Sequence, residues 1–306
     1  MLQENPQFQK ELYQEANPQF HKSCTMKKYV IICVLVLLII VAQTFFRGNG
    51  IKRRPNFDPK ADFLICMFLT GGLKEEAENS IQTLKYLGLS DKLVVTALDD
   101  EAYIHIRKLG VKVVKRQTNL KRLTKWGSKS FRDINLNKYD IVLDLLQREK
   151  KIVVYADPDV VFLKDISDDI VKFNESNYDV MIQNDVSRFN EKDKTNFCAG
   201  FIFFKPNEKT VAMVRRTQKK TIEGYLDDQY SLNMELNNKG NGINFGIFSL
   251  KDYPNGKRYF DHVDTIYKSY RPMIVHNNYL MTTNLKIRRL KKHGLWFLPP
   301  RWSHHM

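Results

Sequence analysis

The stretch KIVVYADPDVVFLKD, residues 151–165, decides how the rest of the chain reads. Residues 152–156 form an apolar, largely β-branched run of strand length that stops at Asp157-Pro158-Asp159. A second apolar run, residues 160–163, follows at once. Such a short continuous run, closed by turn residues, reads as a strand buried on both faces. Side chains two apart in extended backbone point the same way, so Asp157 and Asp159 are expected to face one ion or one substrate. Pro158 fixes its own φ and biases Asp157 toward an extended shape.

Working upstream, residues 62–70 (DFLICMFLT) read as a buried strand ending at Thr70-Gly71-Gly72. Residues 74–87 carry Ala77, Ile81, Leu84 and Leu87 at helical spacing. A strand at 93–98 ends on Asp99-Asp100, a helix at 101–109 closes on Gly110, and a third strand covers 111–114. This alternation predicts a doubly wound α/β sheet, with Thr70, Asp99 and Asp157 on the edge where ligands bind. Residues 115–136, including Trp126-Gly127-Ser128, read as a loop, and 138–148 as a helix with Asp144 outward.

Working downstream, a short helix runs to about residue 173, and a strand at 178–183 ends in Asn184-Asp185. Residues 196–204 read as a turn at Ala199-Gly200 and then a strand. A polar helix at 208–219 and another at 226–236, opening on Asp227-Asp228-Gln229, come next. A strand at 243–250 and a short one at 273–276, ending on His276, precede a basic tail at 286–292. There is no internal repeat.

The chain has 306 residues, of which about 245 follow the N-terminal region, enough for one large α/β domain or two small ones. A hydrophobic fraction of 43% supports a packed core and excludes a disordered chain. The formal charge of +15 suits an anionic partner, or simple solubility. Nucleic acid is not expected, because the basic residues lack interleaved aromatics. The four cysteines, Cys24, Cys33, Cys66 and Cys198, match no zinc or thioredoxin-like spacing. Buried free thiols are expected in the body in preference to a Cys66–Cys198 disulfide.

Residues 1–28 read as a polar, disordered tail. Residues 29–46 are 18 in number and uncharged, near the lower limit for a membrane-spanning helix. The long polar lead and the missing small-x-small site argue against a cleaved signal peptide. An uncleaved anchor is therefore expected, followed by a stem at 47–61 and a body at 62–306. Four basic residues before the span and five after it leave orientation open. The sequon Asn174-Glu175-Ser176 is usable if the body is lumenal.

Asp157, Asp159 and His276 together form a candidate divalent-metal set. Oxygen ligands suit Mg2+ or Mn2+, and an imidazole tilts the choice toward Mn2+. Such an ion would grip a diphosphate and neutralise a departing phosphate. Taken singly, an Asp-x-Asp is more often a solvated turn, His276 a hydrogen-bonded structural histidine, and Asp228 a helix cap. The set gains weight because each member sits at a strand or helix end.

From about residue 62 to 296 the chain resembles the nucleotide-diphospho-sugar transferase family that includes plant cell-wall xylosyl- and arabinosyltransferases. The matching pieces come in the family's order: LVVTALDDEAY (93–103), Lys138 with IVLDLL (141–146), VVYADPDVVFLKD (153–165), FCAGFIFFKPN (197–207), LDDQYSLN (226–233) and IVHNNY (274–279). The resemblance implies a glycosyltransferase A fold, a Rossmann-like mixed sheet flanked by helices. It implies a nucleotide sugar donor, UDP-linked, and a glycan or glycoprotein acceptor, with anomeric configuration retained. Asp157 would contact the ribose and, with Asp159 and His276, hold the metal. Thr70 and Asp99 would line the nucleotide pocket, with Ala199 and Gly200 in the substrate-binding turn. Lys138 would contact the sugar or diphosphate. Asp228 would lie near the anomeric carbon as nucleophile or stabiliser, with Gln229 beside it. The family also implies a single-pass type II membrane protein with its catalytic body in the Golgi or endoplasmic reticulum lumen. The chain departs from the family at Cys198, where Asn is usual, at Phe162, where Trp is usual, and at Asn278-Tyr279, where small residues are common.

Two other readings stand beside this one. The Asp157 turn also fits the nucleophile turn of a haloacid dehalogenase-type phosphatase, but that turn normally opens its domain, whereas α/β structure precedes it here. A catalytically inactive nucleotide-sugar-binding membrane protein is the second.

Overall fold

The computed structural model describes residues 62–116, 129–185, 195–224 and 226–299. The expected tail, membrane anchor and stem, Cys24, Cys33 and Trp126-Gly127-Ser128 all lie outside these. The chain divides into two units, Met1–Asp58 and Pro59–Met306, and every described residue belongs to the second. Among the described residues no helix is long and apolar enough to cross a membrane.

The strands are β1 (Phe63–Leu69), β2 (Leu93–Ala97), β3 (Lys112–Lys115), β4 (Ile152–Ala156), β5 (Val160–Phe162), β6 (Val180–Asn184), β7 (Phe197–Phe204), β8 (Phe245–Ile247) and β9 (Ile274–His276). The helices are α1 (Lys74–Tyr86), α2 (Asp100–Arg107), α3 (Lys129–Glu149), α4 (Ser167–Glu175), α5 (Glu208–Glu223), α6 (Asp228–Leu236), α7 (Gly256–Phe260), α8 (Ile266–Ser269) and α9 (Thr283–Lys292). Seven strands form one sheet in the order β3-β2-β1-β4-β7-β6-β8, and β5 pairs with β9 in a second. In the large sheet β1, β2, β3 and β4 run parallel, while β7 runs antiparallel to β4 and β6. The ends of β1, β2, β4 and β6 and the start of β7 therefore share one edge.

Period-two alternation along β1 explains the layering. Phe63, Ile65, Met67 and Leu69 meet Ala77, Ile81 and Leu84 of α1, Ala102 and Ile106 of α2 and Ile170 and Phe173 of α4. Leu64, Cys66 and Phe68 meet Ile141, Val142, Leu145 and Leu146 of α3, Met213 and Val214 of α5 and Leu232 and Leu236 of α6. Both faces are covered, as the continuous apolar strands demand. A third, smaller core gathers Val161, Leu163, Tyr259, Tyr267, Val275, Leu290 and Leu295 around the two-stranded sheet.

Three expectations are corrected. The α3 helix begins at Lys129, well inside the stretch read as a loop. Its opening turns are mostly polar, so apolar spacing alone marks only the later part. Ala199-Gly200 is not a turn but lies inside β7, where the register against β6 slips between Ile182 and Gln183. The extended stretch read at 243–250 is a strand only over Phe245–Ile247. Both cysteines in the body are free and buried, as expected.

Phe201 and Phe203 point from β7 into a cluster with Phe248 and Tyr253. Phe203 meets Phe248 edge-on at 4.8 Å, and Phe248 stacks on Tyr253 at 4.3 Å. Phe203→Ala is expected to cost about 3–5 kcal/mol, measured by urea denaturation, because a fully buried ring leaves a cavity that the packed cluster fills only partly.

Candidate functional site

The β4 strand delivers Asp157 to the shared edge, where its N–H donates to Gly200 O at 2.8 Å. Val160 N–H then closes back on Asp157 O at 3.1 Å. Asp157-Pro158-Asp159-Val160 is therefore a β-turn with Pro158 at its second position, where a fixed φ near −65° fits. The extended geometry expected for the two acids is replaced by this turn. They converge because β5 pairs antiparallel with β9, setting Val160 opposite His276. His276 Nε2 lies 3.3 Å from Asp159 Oδ1 and 3.6 Å from Asp157 Oδ2. One ligand atom from each of the three lies within 4.8 Å of the others. Ligands at adjacent corners of an octahedral ion, each ~2.1 Å from it, stand roughly 3 Å apart. The donor set and spacing thus fit Mg2+ or Mn2+.

Neighbouring bonds orient these ligands. Gln183 Nε2 donates to Tyr253 O at 3.0 Å, so its Oε1 must face His276 Nδ1, 2.9 Å away. His276 Nδ1–H therefore donates to Gln183, and Nε2 is the nitrogen aimed at the carboxylates. Cys198 Sγ lies 3.4 Å from the same Nδ1. Tyr155 OH donates to Asp157 Oδ1 at 2.6 Å. Asp159 accepts from Lys286 Nζ of α9 at 2.8 Å. Burial opposes charge on Asp159, but Lys286 and His276 outweigh it and hold the carboxyl well below the usual range. Burial likewise opposes charge on His276, but Cys198 and Asp159 outweigh it and raise its proton affinity.

A second group lies across residue 199. Asp227 caps α6, accepting from Tyr230 N–H at 2.6 Å, which leaves Asp228 free to turn inward. By sequence alone either acid could have been the cap. Asp228 is 5% exposed and pairs with Lys138 of α3, itself 3% exposed. Lys138 Nζ also donates to Ala199 O at 2.9 Å and lies 4.7 Å from the Tyr155 ring centroid. Burial opposes the Lys138 charge, yet Asp228 and Asp157 beside it raise its pKa overall. Gln229 Oε1 accepts from Ala199 N–H at 3.3 Å, so both ends of that residue are held by side chains. Gly200 is required sterically: a Cβ there would lie 2.2 Å from His276 Cε1 and 2.6 Å from Asp157 Oδ2.

Thr70 and Asp99 end β1 and β2 on the same edge. Asp99 is committed to structure, accepting Gly71 N–H at 2.8 Å and Ala102 N–H at 2.8 Å. Asp185 and Lys286 are site residues that the sequence did not single out. Asp185 follows β6 and accepts from Gln229 Nε2 at 2.8 Å and Tyr279 OH at 2.9 Å. Burial pushes its carboxyl above the ordinary value despite these donors. Its position at the end of a strand next to β7 was the available signal. For Lys286 the signal was its place in a basic tail, 286–292, that could close over a diphosphate or face anionic lipid.

A family model described as nucleotide-diphospho-sugar transferase matches residues 88–290. A UDP-galactose:fucoside alpha-3-galactosyltransferase of Dictyostelium discoideum is 26% identical over 198 residues, 56% of this chain and 29% of that protein. A UDP-D-xylose:L-fucose alpha-1,3-D-xylosyltransferase of Arabidopsis thaliana is 22% identical over 235 residues, 68% of this chain and 62% of that one. The match thus spans less than two thirds of either relative. A crystal structure of a glycosyltransferase involved in glycosylation of the major capsid of PBCV-1 superposes with a TM-score of 0.49 at 11% identity, covering 76% of this chain and 98% of that one.

Two outcomes test the geometry. Lys138→Met is expected to destabilise the fold by about 3–5 kcal/mol in urea, by stranding the buried Asp228, and Lys138→Met with Asp228→Leu to recover most of that. Gln183→Leu is expected to weaken Mn2+ binding, measured by calorimetry, by about 10–100-fold through loss of His276 orientation.

Proposed function

Because this chain belongs to the nucleotide-diphospho-sugar transferase family, we propose that it transfers a sugar from a UDP-sugar to a fucose-containing glycan or glycoprotein acceptor, with retention and with a divalent cation. The observation that carries this reading is the β5–β9 register, which sets His276 against Asp159 and Asp157. These three residues would hold Mn2+ or Mg2+, which when bound supplies Lewis-acid neutralisation of the departing diphosphate. Thr70 and Asp99 end strands on the edge where a nucleotide would lie.

Lys138 offsets part of the charge on Asp228 and tempers it as a nucleophile, so Asp228 is read as a fixed negative group that favours an oxocarbenium-like transition state. Gln229 acts beside it by holding Ala199 and Asp185 in place. The relatives' names support the rest. One uses UDP-galactose and the other UDP-D-xylose, and both are named for alpha linkages to fucose or a fucoside. The uncharged run at 29–46 supports a membrane anchor; the type II orientation, with the catalytic body in the Golgi or endoplasmic reticulum lumen, rests on the family resemblance alone.

The phosphatase reading gains nothing, since three parallel strands precede the Asp157 turn. The inactive-binder reading is answered by turnover. Detergent-solubilised full-length protein is expected to release UDP from one of a panel of UDP-sugars when given Mn2+ and methyl α-L-fucoside. Chelation should abolish release, and Asp159→Asn should lower it by about a hundredfold or more. The proposal is falsified if no UDP-sugar is bound or turned over with either cation.

A further inference from the structure

We propose that Tyr279 determines which acceptor the site admits, as the wall against which the acceptor sugar stacks; this rests on the transferase reading. The first observation is conformational. Tyr279 has φ +63°, and among the described residues the other non-glycine with positive φ is Lys150, in the turn between α3 and β4. A bulky aromatic residue is poorly suited to left-handed backbone and persists there only when its surroundings over-determine it.

Those surroundings are specific. Asn277 Oδ1 accepts from Arg289 Nε at 2.8 Å, and Asn277 Nδ2 donates to Lys286 O at 3.1 Å. Asn278 O accepts from Arg289 Nη2, and Asn278 Oδ1 accepts from Gly256 N–H at 2.7 Å. The chain entering Tyr279 is therefore held from α9 and α7, and the direction of the ring is fixed. At its tip, the phenol O–H is shared between Asp185 O at 2.8 Å and Asp185 Oδ1 at 2.9 Å. Asp185 in turn accepts from Gln229, beside Asp228.

The residue itself is not buried. Tyr279 is 44% exposed, whereas Asp185 is 8% exposed. Here the polar tip is tied down within the site while close to half of the residue stays open to solvent at its rim. An aromatic face beside a carboxylate matches the two sides of a pyranose: apolar C–H groups on one, hydroxyls at the edge. Glycine would adopt this backbone freely, so the tyrosine maintains an unfavourable conformation for the sake of its side chain.

The test uses full-length protein in detergent with Mn2+, the UDP-sugar it turns over, and methyl glycosides of L-fucose, D-galactose, D-glucose and D-xylose as acceptor probes. Tyr279→Gly is expected to raise acceptor KM about tenfold while donor KM moves less than about twofold, with a melting temperature equal to or above wild type. Tyr279→Phe, which keeps the ring, is expected to stay within about threefold of wild-type acceptor KM. An unchanged acceptor KM in Tyr279→Gly, or a donor KM rising in step, overturns the proposal. So does a Tyr279→Phe chain as impaired as Tyr279→Gly, which would assign the role to the hydroxyl, or a Tyr279→Gly chain without a melting transition. Donor hydrolysis without transfer to any of the four glycosides also counts against it. A wild-type chain that turns over no UDP-sugar sinks the transferase reading instead.

Discussion

The Asp157 amide donates to the Gly200 carbonyl at 2.8 Å, and this ladder bond sets how near β4 and β7 come at their shared edge. Asp157 and His276 lie where the next side chain of β7 would stand, so residue 200 can only be glycine. One residue earlier, Ala199 is fixed at both ends, its N–H by Gln229 and its carbonyl by Lys138. The register slip in β7 allows this. A regular ladder would return those backbone groups to β6 and leave the two side chains without their anchors.

Charge at the site is arranged around that backbone. Buried carboxylates are matched in place, Asp228 by Lys138 and Asp159 by Lys286. Neither pair is an efficient source of stability, because desolvation cancels much of the attraction. Their value is orientation: each holds a carboxylate at a fixed point before substrate arrives, which suits electrostatic catalysis. The chain's large positive charge, conspicuous in composition, enters the described site chiefly through these two lysines.

Much of the fold was legible because both faces of the sheet are covered. Apolar runs such as residues 63–69 and 152–156 then read as strands without ambiguity. Asp157, Asp159 and His276 were legible because each borders or closes an apolar run. The start of α3 was not, since its first turns lack apolar periodicity. Ala199-Gly200 looked like a turn because glycine after a small residue usually marks one, and only the neighbouring strands reveal a bulge. Asp227 and Asp228 could not be separated locally, as either can cap a helix; the partner that decides, Lys138, is 90 positions away. Asp185 and Lys286 depend on pairings equally remote in sequence, which no local spacing encodes.

The candidate metal ligands belong to two different sheets. Asp157 extends a strand of the large one, while Asp159 precedes, and His276 ends, a strand of the small one with its own apolar core. Asp157 and His276 are about 120 positions apart in the chain. Anything gripped by both closes a loop of that length, as a covalent cross-link would, and removes its closure entropy from the unfolded ensemble. Occupancy would then stabilise the native state by mass action and bind the C-terminal third of the body to the sheet. In that view the site serves as a clasp for the architecture as well as a seat for chemistry.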